Sequence, residues 1–171
     1  MPILQSEVAV GSEVFESNRA SLLAQLAEVR AVQQKGVDKS YAAKAKFEKK
    51  GKILPYERVR LLLDADSPFV ELCGLVGYNM HDDKDGSDAG GGIIAGIGFI
   101  NGVRSLVTAS NSAIKGGTMA PMGVHKTLRL QQIAMQQKLP VVTLAESGGA
   151  NLNYAAEVFT AGGTTFANQA R

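Results

Sequence analysis

Leu139-Pro140-Val141-Val142-Thr143-Leu144-Ala145-Glu146-Ser147-Gly148-Gly149-Ala150-Asn151-Leu152 is the stretch on which the reading of this chain turns. Val141 to Ala145 is a short apolar, β-branched run, the pattern of a buried strand. The run stops at a glycine pair. Two adjacent glycines permit positive φ and leave their N–H groups free of side-chain cover. Such a turn either simply reverses the chain or aims one or two donors at an oxygen that becomes negative during a reaction. The second use is the physical requirement of an oxyanion hole.

Working back from this stretch, Gly123 to Lys138 is the clearest helix of the second half, with Val124, Leu128, Met135 and Leu139 on one face and Leu130, Ile133 and Ala134 on another. Apolar positions on two sides imply burial between layers. His125 reads as a packing or surface residue. Before the helix lies a second glycine-pair loop, Asn111 to Pro121, with Lys115-Gly116-Gly117-Thr118 at its centre. It lacks the Gly-Lys-Ser/Thr of a P-loop. Ile93 to Ile100 and Val103 to Ala109 are strand-like runs joined by Asn101-Gly102, a strong hairpin signal, because a type I′ turn needs positive φ at both central residues. Gly96 and Gly98 have the wrong spacing for a dinucleotide fingerprint and suit the close approach of another layer. Strand, helix and strand in succession make this an α/β chain.

In the first half, Ser12 is a candidate cap for a helix carrying Phe15, Leu22, Leu26 and Val29 on one face, with Gly36 as its expected stop. Ser40 is a candidate cap for a second helix ending at Gly51, and Pro55 starts a third. Lys39, Lys44, Lys46, Lys49 and Lys50 make a basic segment. It reads as a solvated face, or as an attractor of a phosphate-bearing ligand such as coenzyme A. Asp64 to Pro68 reads as a turn and Phe69 to Tyr78 as one or two short strands. Asn79 to Gly92 is a polar, expectedly mobile loop. Its Asp83, Asp85 and Ser87 alternate like a calcium loop, but the sixth place holds Asp88 and the twelfth lacks Glu. Tyr154 to Ala170 carries weak helical signals interrupted by Gly162-Gly163. The stop at Ala170-Arg171, inside a helix-like stretch without cap or turn, leads us to expect a fragment.

Composition narrows the classes. With 171 residues, 45% hydrophobic and 20% charged, the chain suits a globular fold of one domain or one domain and part of another. A net charge of +2 gives no argument for nucleic acid. One cysteine, Cys73, allows neither an internal disulfide framework nor a cysteine zinc site, and two histidines make a His-rich metal site a poor expectation. No run approaches the ~20 residues of a membrane span. Glu7 and Glu13 precede any arginine, which argues against signal and transit peptides and leaves the cytoplasm as the expected location. A nucleophile elbow is absent, since Ala145 stands where its first glycine belongs before Ser147. Glu146 is a candidate general base or a plain backbone partner. The site is thus poor in side-chain chemistry and rich in backbone donors, a profile that suits enolate stabilisation with the proton taken by another group.

Gly51-Lys52-Ile53-Leu54-Pro55-Tyr56-Glu57-Arg58-Val59, Leu61-Leu62-Leu63-Asp64 and Ser67-Pro68-Phe69-Val70-Glu71-Leu72 resemble the opening of carboxyltransferase subunits of biotin-dependent acyl-CoA carboxylases. So do Gly91 to Gly98, Lys115 to Thr118 and Glu146 to Leu152, in the same order and spacing over about residues 10–171. Asn151-Leu152 is similar to the methylcrotonyl-CoA and geranyl-CoA branch; propionyl-CoA and acetyl-CoA relatives tend to carry Arg there. Glu146 stands where the family usually has Asp. The resemblance implies a crotonase-like (ClpP/crotonase) fold of ββα units in a spiral. It further implies an N-terminal helical segment over 1–52 and an incomplete N-terminal carboxyltransferase half over 53–171.

It implies a reaction as well. Biotin, carried as carboxybiotin on a separate domain, delivers CO2 and takes a proton from the acyl-CoA, and the dienolate attacks CO2 at its γ-carbon. Gly148 and Gly149 match the glycine pair facing the enolate oxygen. Lys115, Gly116, Gly117, Thr118 and Ala150 match the CoA-binding region. The implied partners are a biotin carboxylase/biotin carrier subunit and further copies of the chain, hexameric in the family, with no nucleic acid or membrane. The family's second half, which holds biotin and other donors, is missing here, so the chain alone is expected to be inactive and to expose apolar surface. An enoyl-CoA hydratase or isomerase of the same fold, using Glu146 or Glu157, and a non-catalytic CoA-binding or assembly module remain open on the residues.

Overall fold

The computed structural model describes residues 5–170; Arg171, the expected cut end, lies outside the described residues. Helix α1 spans Glu13–Ala42, with the Ser12 hydroxyl accepting from Phe15 N–H at 3.2 Å as its N-cap. Two expectations fail along it. Gly36 does not stop the helix, because this glycine is buried where the 87–89 backbone crosses: an added Cβ would lie 3.4 Å from Ala89 O. Ser40 is no cap either. It is fully buried inside α1, and its hydroxyl pairs with Asn111 Oδ1 at 3.0 Å. Helix α2 covers Lys44–Glu48, and Gly51 follows it at φ 64°, the expected left-handed stop. Helix α3, Pro55–Leu62, starts on its proline, whose missing N–H costs nothing in a first turn.

The described residues form a four-stranded sheet in the order β1-β2-β3-β4. The strands are β1 (Val70–Glu71), β2 (Ile93–Ile100), β3 (Val103–Ser110) and β4 (Val141–Leu144). β2 and β3 make the expected hairpin, in register from Ile93↔Ser110 to Ile100↔Val103, around Asn101 at φ 49° and Gly102 at φ 75°. Asp64 adds what local sequence did not reveal. Its two carboxylate oxygens accept the N–H groups of Asn101 and Gly102 at 2.6 and 2.7 Å, tying the turn after α3 to the hairpin tip.

Alternation assigns the two faces of the sheet. Ile94, Val107 and Ala109 pack with Val59 of α3 on one side. Ala95 and Leu106 pack with Leu130 and Ala134 of helix α4, Pro121–Gln137, on the other. Burying one such side chain contributes about 1.5–3 kcal/mol. Gly96 and Gly98 admit the α3-side layer as expected: a Cβ on Gly96 would lie 2.5 Å from both Val70 O and Phe69 Cζ, and one on Gly98 would lie 2.6 Å from Leu63 Cδ2.

After α4, Lys138 takes the left-handed conformation (φ 51°), and the chain enters β4, parallel to β3 from Leu106↔Val141 to Ala109↔Leu144. β4 is not the buried strand its composition suggests: Val141 is 50% exposed, because β4 has β3 alone as a neighbour in the described sheet. Helix α5, Ala155–Gln169, runs unbroken through Gly162-Gly163. It is held on α4 by Gln131 Nε2 donating to Thr165 O (3.1 Å) and Asn168 Nδ2 donating to Gln131 Oε1 (3.0 Å).

Glycine-to-alanine substitutions should therefore split by site. Gly96→Ala forces a methyl group onto backbone and should cost about 1–3 kcal/mol by overpacking. Gly162→Ala and Gly163→Ala have open space and helical backbone, and each should add about 0.5–1 kcal/mol. Thermal or urea melts check both signs.

Candidate functional site

Parallel pairing sends β3 and β4 out of the sheet at the same edge. The two glycine-pair segments, Ser110–Met119 and Ala145–Asn151, therefore lie side by side, where open α/β sheets bind ligands. They continue as a ladder. Gly148 N–H donates to Gly117 O at 3.1 Å, Met119 N–H to Gly149 O at 2.8 Å and Asn151 N–H to Met119 O at 2.9 Å, with Met119 and Ala150 in parallel register. Lys115, Gly116 and Gly117 are all left-handed, with φ 46°, 66° and 77°. The Thr118 hydroxyl donates to Lys115 O at 2.9 Å and closes that turn.

The two glycine amides of the second segment differ. Gly148 N–H is committed to Gly117 O, so it joins the loops. Gly149, at φ 88°, donates to the hydroxyl of Ser147 at 3.0 Å, a partner that a side-chain rotation removes. Where a Cβ would stand on Gly149 or Gly116, nothing lies within 4 Å, so a flat ligand can rest on bare backbone.

Glu146 does not have the surroundings of a free base. Lys52 Nζ lies 2.6 Å from one oxygen and Arg58 Nη1 3.3 Å from the other. The Lys52 ammonium, against some opposition from burial, holds the carboxyl below its usual range. The pair fastens the β4 loop to the chain around α3. Glu157 faces His81 Nε2 at 3.3 Å.

The loop Asn79–Gly92, expected to be mobile, is instead pinned by its acids. Asp83 accepts from the N–H groups of Asn79 (3.0 Å) and Asp88 (3.2 Å), and Asp85 from that of Ser87 (3.0 Å), which accounts for their spacing. Burial works against the charge of Asp88, but Lys115 at 2.7 Å and Lys39 at 2.5 Å outweigh it and hold the carboxyl low. Asp82 accepts from Asn151 Nδ2 at 3.2 Å and from the Tyr154 hydroxyl at 2.9 Å. Lys126 of α4, 1% exposed, went unnoticed in the sequence; it donates to Gly90 O (3.1 Å) and Ile93 O (2.6 Å). Burial pushes its pKa down to about 8, with Glu71 and Cys73 opposing.

Two hollows flank the glycine segments. One, about 470 Å³, is lined by Lys46, Lys50, Lys52 and Lys115 with Gly116 and Glu146. The other, about 580 Å³ and mostly apolar, runs between α4 and the open edge of β4 and reaches Gly117 and Ser147.

Residues 46–171 match the carboxyl transferase domain family. The chain belongs to that family. A solved carboxyltransferase relative, the β subunit of P. aeruginosa geranyl-CoA carboxylase, is 61% identical with a TM-score of 0.88, over 99% of this chain and 32% of that one. The mitochondrial methylcrotonoyl-CoA carboxylase β chain of Dictyostelium discoideum is 46% identical over 64% of this chain and 18% of its own length. The transcarboxylase 12S structure, 24% identical with a TM-score of 0.69 over 87% of this chain and 29% of that one, shows the shared fold alone. The fold is the crotonase-like α/β fold of carboxyltransferase domains. The chain spans about a third or less of the lengths of these relatives.

The Glu146 pairing has a pH signature. A depressed folded-state pKa contributes stability that is full above the unfolded value of about 4.3 and is lost as pH falls through the folded value. Glu146→Gln should flatten the acid limb of the stability profile below about pH 5 and shift it little near neutrality. Melting curves from about pH 3.5 to 7 measure this; an unchanged acid limb contradicts the pairing.

Proposed function

We propose that this chain is the part of a biotin-dependent carboxyltransferase subunit that holds an unsaturated, branched acyl-CoA, of the methylcrotonyl or geranyl type. The relatives named for those substrates support the substrate class. The observation that carries the reading is the joined pair of glycine segments beside a lysine-lined hollow. The bare backbone at Gly116 and Gly149 fits a planar thioester. Carboxybiotin supplies the activated carboxyl group, presented by a carrier subunit; the residues of this chain serve the acyl-CoA side.

In that role Gly149 N–H, released from Ser147 Oγ, donates to the thioester oxygen as proton loss makes it negative. Gly148 keeps its bond to Gly117 and aims the next amide. Lys115, Gly116, Gly117, Thr118 and Ala150 form the adjoining wall. Lys46 and Lys50, which make no ion pair among the described residues, attract the phosphates. A hydratase or isomerase reading loses Glu146 as a free base, since Lys52 and Arg58 both hold it. Exposed Leu152, Phe159 and Phe166, at 74%, 61% and 72%, support burial against a further copy of the subunit. Among the described residues no helix is long and apolar enough to cross a membrane.

In the subunit assembled with its biotin-carrying partner, Gly149→Ala keeps the N–H but strains the backbone at φ 88° and displaces the amide, and should lower kcat for carboxylation on the order of 100-fold, with acyl-CoA KM changed only a few-fold. Ser147→Ala should stay active. Lys46→Glu with Lys50→Glu should raise KM for acyl-CoA but not for the same acyl group on pantetheine, which lacks the nucleotide. Full activity in Gly149→Ala, or hydration of crotonyl-CoA by the unmodified protein, would overturn the reading.

A further inference from the structure

Asn79–Gly92 touches both glycine segments: Gly92 O accepts from Asn111 N–H at 2.8 Å at the root of the first, and two of the loop's carboxylates reach the segments further along. Asp88 uses its two oxygens separately: one accepts from Lys39 on α1, the other from Lys115 in the first glycine segment. Its side chain is only 12% exposed, whereas the two lysine side chains are 42% and 45% exposed. Asp82 likewise uses both oxygens, on Asn151 Nδ2 and on the Tyr154 hydroxyl, immediately after the second glycine segment. Asn151 is held further by its backbone N–H on Met119 O (2.9 Å) and its Oδ1 on Asn153 N–H (3.1 Å). The His81 ring meets Tyr154 edge-on with centroids 4.8 Å apart. The loop is itself stiff: Asp83 bonds two of its amides, and Lys126 grips the Gly90 carbonyl at its far end.

We infer that Asn79–Gly92 is a clamp that sets the spacing of the two glycine segments, with Asp82 and Asp88 as positioning residues for the Gly149 amide. This rests on the carboxyltransferase reading of the site. Three backbone bonds join the segments over Gly117–Met119 and Gly148–Asn151. The clamp holds Lys115, just ahead of that ladder on one segment, and Asn151, at its end on the other, which resists shear of the pair. The Asp82 contacts are exposed, and contacts of that kind contribute little to global stability. A misplacement of about 1 Å at a reacting centre, by contrast, can cost on the order of 100-fold in rate. The clamp therefore acts on turnover more than on folding.

The test uses the subunit assembled with its biotin-carrying partner. Asp82→Ala should lower kcat at least about tenfold, with KM for acyl-CoA and Kd for free CoA within about twofold and Tm lowered by no more than about 4 °C. Asp82→Asn, which retains one acceptor oxygen, should lose less. Tyr154→Phe should fall between Asp82→Asn and the parent. Hydrogen exchange gives a readout independent of turnover: Asp82→Ala should speed exchange over 147–154, and Asp88→Asn over 115–118, with β2 and β3 still protected. Unchanged kcat and exchange in Asp82→Ala overturns the clamp, as does a rate loss matched by collapse of Tm or CoA affinity. A parent protein without carboxylation activity defeats the functional reading instead, and the exchange pattern still decides the clamp.

Discussion

The structure depends on the parallel pairing of β3 with β4. Parallel neighbours cannot be joined by a tight turn, so the chain must cross over and return, here through α4. Only this arrangement lets two loops leave the sheet at one edge and extend its ladder beyond the last strand residue. The crossover must also be seated closely. A Cβ on Gly123, in the first turn of α4, would lie 2.5 Å from Gly91 O, and Lys126 reaches under the same turn to two carbonyls. Helix and glycine turn are thereby locked against each other without a large side chain between them.

Acidic side chains then serve geometry rather than chemistry. Asp64 holds the hairpin tip, Asp83 shapes its own loop, and Glu146 sits between Lys52 and Arg58. A carboxylate with two cationic or N–H partners is a poor proton acceptor near neutral pH. What remains at the mouth of the site is peptide backbone and lysine. That inventory suits stabilising a thioester enolate whose proton leaves to a group from elsewhere, with the Glu146 carboxylate holding its loop between Lys52 and Arg58.

Much of this was legible in the chain. The β2–β3 hairpin, the proline start of α3, the Ser12 cap and the strand before Gly148 all carry local signals, and tertiary structure reinforces each. The failures share a cause. Gly36, Gly162 and Gly163 looked like helix stops because glycine weakens a helix by about 1 kcal/mol; neighbouring packing outweighs that cost, at Gly36 because the 87–89 backbone needs the space. Ser40 looked like a cap but pairs with Asn111, 71 positions away. Loop 79–92 looked mobile because the side-chain partners of Asp82 and Asp88, namely Lys39, Lys115, Asn151 and Tyr154, are all remote in sequence. Lys126 left no trace, since a lysine in an amphipathic helix ordinarily faces water. Of the site, the glycine pairs were visible, but the division of labour between Gly148 and Gly149 was not, because it depends on a carbonyl supplied by the other loop.

The most direct measurement is a crystal structure of the full subunit with a bound acyl-CoA thioester. The account predicts the thioester oxygen about 3 Å from the Gly149 nitrogen, with the Ser147 hydroxyl turned away and the Gly148–Gly117 bond intact. A thioester bound elsewhere, with Gly149 N–H still held by Ser147, would contradict it.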